Sequence, residues 1–583
     1  MERLVVIELS VIVPTFNRAE RLRACLEALC EQSQPLRDVE VIIVVDGSTD
    51  GTREMLAQLK TPYALRIVEQ SNQGQCAALN RGAEVAQGRY CLFLDDDIVA
   101  TRHLLAEHLR TQNEKGGVVG IGQIAIRVPV RSDWFACGFA RGWSEHYERL
   151  NQRTKRLTYE HCYGGNMSVP RSAFMAVGGF ALDLPRGYDV ELAYRLERYG
   201  LSFVYIERAM GVEDERKGLR ELVADSENGG TASVEISRRH PPTLPLLMGT
   251  FSTIRPLERL LSRLLLALNI PALVLGMFGW ILAKGPWAYR WYCFVHQYAY
   301  WRGVRRALPD RDTWRRLTHG TSILMYHAFG SSTEPASRFV IPGVRFARQM
   351  AWLKWMRYRV ISLEEYLHCR RKHLLPPRRA VVITIDDGYE DNWTVAYPIL
   401  HRYRFPATVF VVSQQMGGPY YSHIDSELNG RSMLSWLQVK ELTRGGIAIG
   451  AHTRTHPDLT QIPPQQAQVE IAGSKRDLEQ ELQIPIHVFS YPFGEYNEQV
   501  ETQAEKAGFL GSCTVRSGLN IPITPLHGLR RVEIWGTDSL VDFAVAVCWG
   551  KRREVLLKHL TSWKGRLQKG RFSNEMDTTR GDQ

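Results

Sequence analysis

Two series of short, β-branched apolar runs divide this chain, and a stretch with no charge at all stands between them. Runs of this kind, spaced by segments of helical period, pack as parallel strands buried on both faces. The first series covers 9–13, 39–45, 65–68 and 90–94, with helical composition over 18–32, 52–59 and 75–86. The second covers 322–326, 380–385, 407–412, 447–451 and 488–491. The alternation predicts two α/β units, the first built on a doubly wound sheet. Ligands of such sheets sit beyond the carboxyl ends of the strands. Polar punctuation falls at those ends, at 14–18, 46–51 and 95–97. Ordinary turns explain any one of these; three in succession predict a site. The opening run, 4–14, carries Glu8 in its middle and reads as a strand rather than a signal peptide.

Between the series, Pro241, Pro242, Pro245 and Pro256 mark a break, and 264–283 follows as 20 residues without a charge. That length suffices to cross a bilayer, although Asn269, Pro271, Gly276 and Gly279 interrupt it. Arg255, Arg259 and Arg263 before it balance Lys284, Arg290 and Arg302 after it, so flanking charge assigns no orientation. Trp280, Trp287, Trp291 and Tyr292 suit an interfacial belt. A surface-lying or re-entrant hairpin is the first expectation, ahead of a single span or a buried helix. The expected boundaries are 1–240, a membrane-associated helical linker over 241–317, 318–545, and a basic helical and disordered tail over 546–583. Lys and Arg total 73 against 62 Asp and Glu, a surplus of +11 that suits nucleotide phosphates or an anionic membrane surface. No aromatic–basic motif of the RNA-binding kind accompanies it, so nucleic acid is not an expected partner. The 10 cysteines form no CxxC pair, which excludes a cysteine zinc knuckle and favours a reducing compartment for the first half.

Asp95–Asp96–Asp97 follows the apolar run 90–94. Carboxylates two apart at a strand end can face one hard cation, which in turn holds a diphosphate. A solvated acidic turn is the structural alternative. Asp46 ends an earlier run, where a carboxylate can accept from a base or ribose. Asp189 stands near the start of a helix carrying Leu192 and Leu196, placed to take a proton from an acceptor hydroxyl. An N-cap role is its alternative.

VIVPTFNR (11–18), VVDGSTDGT (44–52), NQGQCAALNRG (72–82), FLDDD (93–97), GGNMSV (164–169) and GYDVELAYRL (187–196) occur in that order. Over 7–240 the chain resembles a family 2 glycosyltransferase of GT-A fold. The resemblance implies inverting transfer from a nucleotide-diphospho sugar, with Mg²⁺ or Mn²⁺ as cofactor. It assigns Asp46 to the base, Asp95 and Asp97 to metal and phosphates, Asp189 to catalysis, and Pro14 and Thr15 to the nucleotide pocket. Tyr188 replaces the usual glutamate before the base, and Glu213–Asp214 stands where many relatives carry a late histidine. No QxxRW motif follows Asp189, which points to single addition rather than polymerisation.

In the second series, Asp386–Asp387 ends the run 380–385. Adjacent carboxylates allow one to bind a metal while the other takes a proton from water. His452 and His456, at i and i+4 after another run, would share a face of a helical turn and clasp one ion. Alone, that spacing is commonly incidental; joined to the Asp pair it predicts an Asp–His–His site. A third turn, FSYPFG (489–494), can aim a backbone N–H at an oxyanion, or be only a tight Pro–Gly turn.

These three motifs, with ILMYH (323–327) and 344–366, are similar to the NodB-homology polysaccharide deacetylases, carbohydrate esterase family 4, over 321–540. The resemblance implies a distorted (β/α) barrel that removes acetyl groups from N-acetylhexosamines with Zn²⁺ or another divalent metal. It makes Asp386 the base, Asp387, His452 and His456 the metal ligands, and Tyr491 part of the oxyanion turn. Ser490 replaces the arginine that often heads the third motif, leaving Arg530 or Arg531 as its substitute. No late Leu-x-His is present, and His527 does not fit that pattern, so the acid is unassigned. The expectation is a bifunctional glycan enzyme with a nucleotide-sugar donor, a glycan or lipid-linked acceptor and a membrane surface as partners. The transferase would face the cytoplasm, with the side of the deacetylase left open. The alternatives are an active transferase with a carbohydrate-binding relic, and a glycan-binding scaffold with neither activity.

Overall fold

The computed structural model describes residues 7–129, 133–152, 156–214, 217–244, 247, 256–279, 287–331, 334–420 and 428–553. They form two compact units that divide between Leu308 and Pro309.

The first unit holds eight strands: β1 (Leu9–Thr15), β2 (Val39–Asp46), β3 (Ala64–Gln70), β4 (Tyr90–Leu94), β5 (Ile98–Ala100), β6 (Val119–Arg127), β7 (Asn166–Pro170) and β8 (Phe203–Asp214). Their order is β3-β2-β1-β4-β7-β6-β8-β5. β1 runs parallel to β2 and β4, while β7 is antiparallel to β4. Every residue of β1, β2 and β4 is buried, which is why the sequence shows apolar runs there rather than alternation. Thr15, Asp46 and Leu94 thereby end on one side of the sheet.

The uncharged run is not one helix. Helices Pro256–Ala267 and Ala272–Met277 are separated by Asn269, at φ 54°, and by Pro271, which cannot donate to a helix. Residues 280–286 lie outside the described residues. Among the described residues, no helix is long and apolar enough to cross a membrane.

Much of the expected linker belongs to the first unit instead. Helix Trp287–Ala307 packs along helix Leu219–Arg239 and against helix Trp134–Asn151. The crossing is backbone to backbone: a Cβ on Gly303 would overlap the carbonyl oxygen of Glu227, and one on Gly230 that of Tyr300. Asp133 fastens the third helix, accepting from the N–H of Ala136 at 2.8 Å and of Leu219 at 3.0 Å.

The second unit resumes with β9 (Ser322–Tyr326), a ribbon of β10 (Ala328–Gly330) and β11 (Val340–Pro342), then β12 (Arg359–Val360), β13 (Ala380–Ile385), β14 (Thr408–Val411), β15 (Ala448–Ala451), β16 (Val488–Ser490), β17 (Gly511–Cys513) and β18 (Val532–Glu533). The parallel order β17-β16-β15-β14-β13-β9-β18 curls, because Leu529, entering β18, bridges Cys513 of β17. Strand residues alternate between two cores, Ile323, Val382, Phe410 and Val488 on one face, Leu324, Ile383, Val409 and Phe489 on the other. Helix Leu540–Trp549 straddles the boundary expected at 545 and buries Phe543, Ala546 and Val547. The tail from 554 lies outside the described residues.

Gly303→Val should force the two helices of the first unit apart, at a cost of about 1–3 kcal/mol. Calorimetry of the full chain should show one unfolding transition moved to lower temperature and the other unmoved.

Candidate active sites

In the first unit the three strand ends open into a cavity of about 710 Å³, lined by Pro14, Thr15, Asp46, Asp95, Asp97 and Asp189 among others. Five of these six close on a small set of partners. Asp46 accepts from Gln70 Nε2 and the N–H of Gln73 and Gly74, each at 2.8 Å, so it also shapes the loop after β3. Thr15 Oγ1 donates to Asp96 Oδ2 at 2.8 Å. Arg18 meets Asp96 and Asp97, each at 2.9 Å, and Arg21 adds a second cation to Asp97 at 3.1 Å.

Asp95 has no such cation of its own; its Oδ1 accepts from Gln75 Nε2 at 2.9 Å. Burial, then the charges of Asp97, Glu213 and Asp96, hold its carboxyl well above the usual range. β5 pairs with β8 so that Ile98 faces Glu213, which brings Glu213 to the cavity. A divalent cation fits this surplus of negative charge.

One tetrapeptide bridges Asp95 and Asp189. The carbonyl of Gly165 accepts from the Asp95 N–H at 3.1 Å, and the N–H of Gly164 donates to Asp189 Oδ2 at 3.1 Å. A Cβ on Gly165 would stand 2.6 Å from Asp95 Oδ2, so no larger residue fits. Asn166 anchors the loop through His108, at 2.9 Å from its Oδ1. Asp189 is the second residue of helix Tyr188–Tyr199, whose N-cap is Gly187 rather than the aspartate. Burial raises its pKa against the backbone N–H groups of Val190 and Gly164, the direction a general base needs. Tyr188, in place of the glutamate, lines the cavity and packs edge-on to Phe180.

In the second unit β13 delivers Asp386 and Asp387, β15 delivers His452, and β16 the third motif. Asp387, His452 and His456 offer ligand atoms that all lie within 4.8 Å of one another. Both imidazole Nε2 atoms face Asp387 Oδ1, at 3.4 and 3.5 Å, and stand 3.2 Å apart. The pair is not on a helix, as its spacing had predicted. Thr453 and His456 both take φ of 65°, and this left-handed turn brings the rings together. His452 Nδ1 donates to the Ser490 carbonyl at 2.8 Å, which leaves Nε2 as the ligand atom. His456 is pushed down to about 4 by burial and by the charge of His452, hence neutral. One carboxylate and two neutral-capable imidazoles fit a divalent metal.

Arg531, fully buried, supplies the arginine that the third motif lacks. It holds Asp386 with two bonds of 2.6 and 2.7 Å and also donates to Ser490 Oγ at 2.9 Å. Burial alone would raise Asp386, but Arg531 beside it, together with the charges of His452 and His327, keeps the carboxyl below its ordinary value. Arg530 instead meets the side-chain amide of Asn520 with its backbone, accepting from Nδ2 at 2.7 Å and donating to Oδ1 at 2.9 Å.

Tyr491 stands at the head of the turn Pro492–Gly494, but its own polar groups are taken up by the fold. Its N–H donates to the Cys513 carbonyl at 3.1 Å and its hydroxyl to the His527 carbonyl at 3.0 Å, inside the core. Pro492 has no N–H, and that of Gly494 is bound to Tyr491 O at 2.9 Å. Phe493, at φ 57° with its ring against His456, carries the remaining N–H of the turn. His527 is buried against Ser512 at 2.9 Å. A third imidazole, His327, follows β9 closely enough that its charge bears on Asp386, Asp387 and His456. Its motif was legible, but nothing in the sequence joined it to strands 60 and 125 residues away.

The family model described as glycosyl transferase family 2 matches residues 10–178, and that described as polysaccharide deacetylase matches 375–511. "Putative polysaccharide deacetylase YxkH" of Bacillus subtilis is 32% identical over 233 residues, 40% of this chain and 78% of that protein. Glycosyltransferase AglE of Haloferax volcanii is 29% identical, over 36% of this chain and 67% of that one. The poly-beta-1,6-N-acetyl-D-glucosamine N-deacetylase of Escherichia coli K12 is 26% identical, over 34% of each chain.

Arg531→Met should leave Asp386 a buried charge without a partner, destabilising the second unit by about 3–5 kcal/mol at pH 7. The pair lowers the Asp386 pKa, so its contribution is present above the unfolded value of about 3.9 and lost as pH falls through the folded one. Calorimetry should therefore show the variant and the parent converging toward pH 3, and Arg531→Lys, which cannot form the fork, failing to restore the difference.

Proposed function

The chain belongs to the polysaccharide deacetylases through its second unit and carries a family 2 glycosyltransferase domain in its first, and we propose that both are active on a common glycan. The observation that carries this reading is the Arg531–Asp386 pair set directly beside the Asp387–His452–His456 donors. It answers the Ser490 substitution, one of the two grounds, with the unassigned acid, for reading the second unit as a binding relic.

In the deacetylase, Asp386 takes a proton from water, and the water oxygen attacks the acetyl carbonyl carbon. The Phe493 N–H faces the oxygen that gains charge. The carbon–nitrogen bond breaks, and the amine leaves with the electron pair and a proton from His327. Zn²⁺ or another divalent ion held by Asp387, His452 and His456 would polarise the carbonyl and acidify the water. The products are acetate and a free amino sugar.

In the transferase, Asp189 takes the proton of an acceptor hydroxyl, whose oxygen attacks the anomeric carbon of the donor. The bond to the diphosphate breaks on the opposite face, inverting the centre. Mg²⁺ or Mn²⁺ at Asp95 and Asp97 would offset the charge of the departing diphosphate. Pro14, Thr15 and Asp46 hold the nucleotide. The acceptor is a glycan or lipid-linked glycan, extended once per encounter. The N-acetylated polymer named for the Escherichia coli relative suggests N-acetylhexosamine as the sugar handled. Leu264, Leu268, Met277 and Phe278, all more than half exposed, support docking on a membrane surface with the transferase on the cytoplasmic side, where nucleotide sugars are made.

Asp189→Asn should lower sugar transfer by about 10²–10⁴-fold and leave deacetylation intact, and Asp386→Asn should do the reverse. Both are measured on the full chain, by nucleotide diphosphate release and by acetate release from a chito-oligosaccharide. Chelation should abolish acetate release and Zn²⁺ restore it; loss of both activities in either variant would contradict two independent sites.

A further inference from the structure

The first cavity continues past Asp189 to a wall that is aromatic rather than acidic. Phe139 and Trp143 are one turn apart on helix Trp134–Asn151 and share a face toward it. The helix cannot turn that face elsewhere, because Gly138 and Gly142 lie against the Tyr292 ring and Asp133 ties its start to Leu219. The indole of Trp143 meets Tyr163 at 4.5 Å and is stacked on Tyr147 at 5.7 Å, which is buried and stacked in turn on Tyr205. Tyr163 directly precedes Gly164, the residue whose N–H holds Asp189. Glu160 and Glu213 line the same cavity.

A rigid ring face flanked by carboxylates matches a pyranose, which has an apolar C–H face and a rim of hydroxyls. We propose that Trp143, with Tyr163, is the platform on which the transferase seats the acceptor sugar, one ring stacked and one hydroxyl turned to Asp189. This inference rests on the transferase reading above and adds the residue that selects the acceptor.

The test uses the full chain with methyl β-N-acetylglucosaminide and methyl β-glucoside as probes, compared with Trp143→Ala and Trp143→Phe. Saturation-transfer NMR should show the ring protons of at least one probe in contact with the parent protein and not with Trp143→Ala. In initial rates with nucleotide sugars, Trp143→Ala should raise the acceptor KM by about tenfold or more, the loss of one stacked ring. The donor KM should move by less than about twofold, and Trp143→Phe should recover most of the loss. Persisting saturation transfer in Trp143→Ala, an unmoved acceptor KM, or an equal rise in both KM values overturns the platform. So does contact confined to the chain of an alkyl phosphate offered as a third probe. Absence of turnover of any nucleotide sugar by the parent overturns the transferase reading itself, and the NMR comparison then still decides the platform.

Discussion

Carboxylates collected at the carboxyl ends of parallel strands are expensive to bury, and each unit of this protein is organised around neutralising them. Asp95, Asp96 and Asp97 in one unit, and Asp386 and Asp387 in the other, sit at the ends of parallel strands, with Asp96, Asp386 and Asp387 buried and Asp95 and Asp97 half-buried. An uncompensated negative charge there would be protonated or would unfold its surroundings. What surrounds each carboxylate therefore decides what it can do.

The two units solve the problem with different partners. In the second, a fork from Arg531 keeps Asp386 ionised while two imidazoles face Asp387, so the adjacent aspartates are separated in role by their neighbours. In the first, Arg18 and Arg21 pair with Asp96 and Asp97, yet burial and mutual repulsion still hold Asp95 and Asp96 above the usual carboxylate range. That residual charge is what a cation would relieve. Asp189 meets backbone N–H groups and only the distant charge of Arg186, and burial leaves its pKa raised. Residues 163 to 166 run from the Trp143–Tyr163 ring contact, through the N–H that meets Asp189 and the carbonyl that meets Asp95, to the buried His108.

The helices after residue 219 extend the first unit rather than merely joining it to the second. Gly230 and Gly303 let helices Leu219–Arg239 and Trp287–Ala307 touch backbone to backbone, and Ala232, Ser233 and Tyr300 from that pair line the cavity. A segment whose composition suggests a linker is thus a wall of the site. The apolar residues left outside, on Pro256–Ala267 and Ala272–Met277, are what remains for a surface to cover.

Local patterns in the sequence mark β1–β4, β9 and β13–β16, though not β5–β8, β17 or β18, and they single out Asp95, Asp97, Asp189, Asp386, Asp387, His452 and His456 as candidates. Each of these is a short-range property: an apolar run, a turn, a residue spacing. Contacts across the fold decided the rest. Arg531 reaches Asp386 over 145 positions, through strands β18 and β13 that both flank β9, and a run of Leu-Arg-Arg does not say which arginine turns inward. Tyr491 belongs to the expected oxyanion turn because its motif is local, yet its own N–H is bound to the Cys513 carbonyl of β17, a contact the motif does not show. Chain-local chemistry can place a charged group at a strand end; only the closing of the sheet settles what stands opposite it, because desolvation and pairing are set by neighbours distant in sequence.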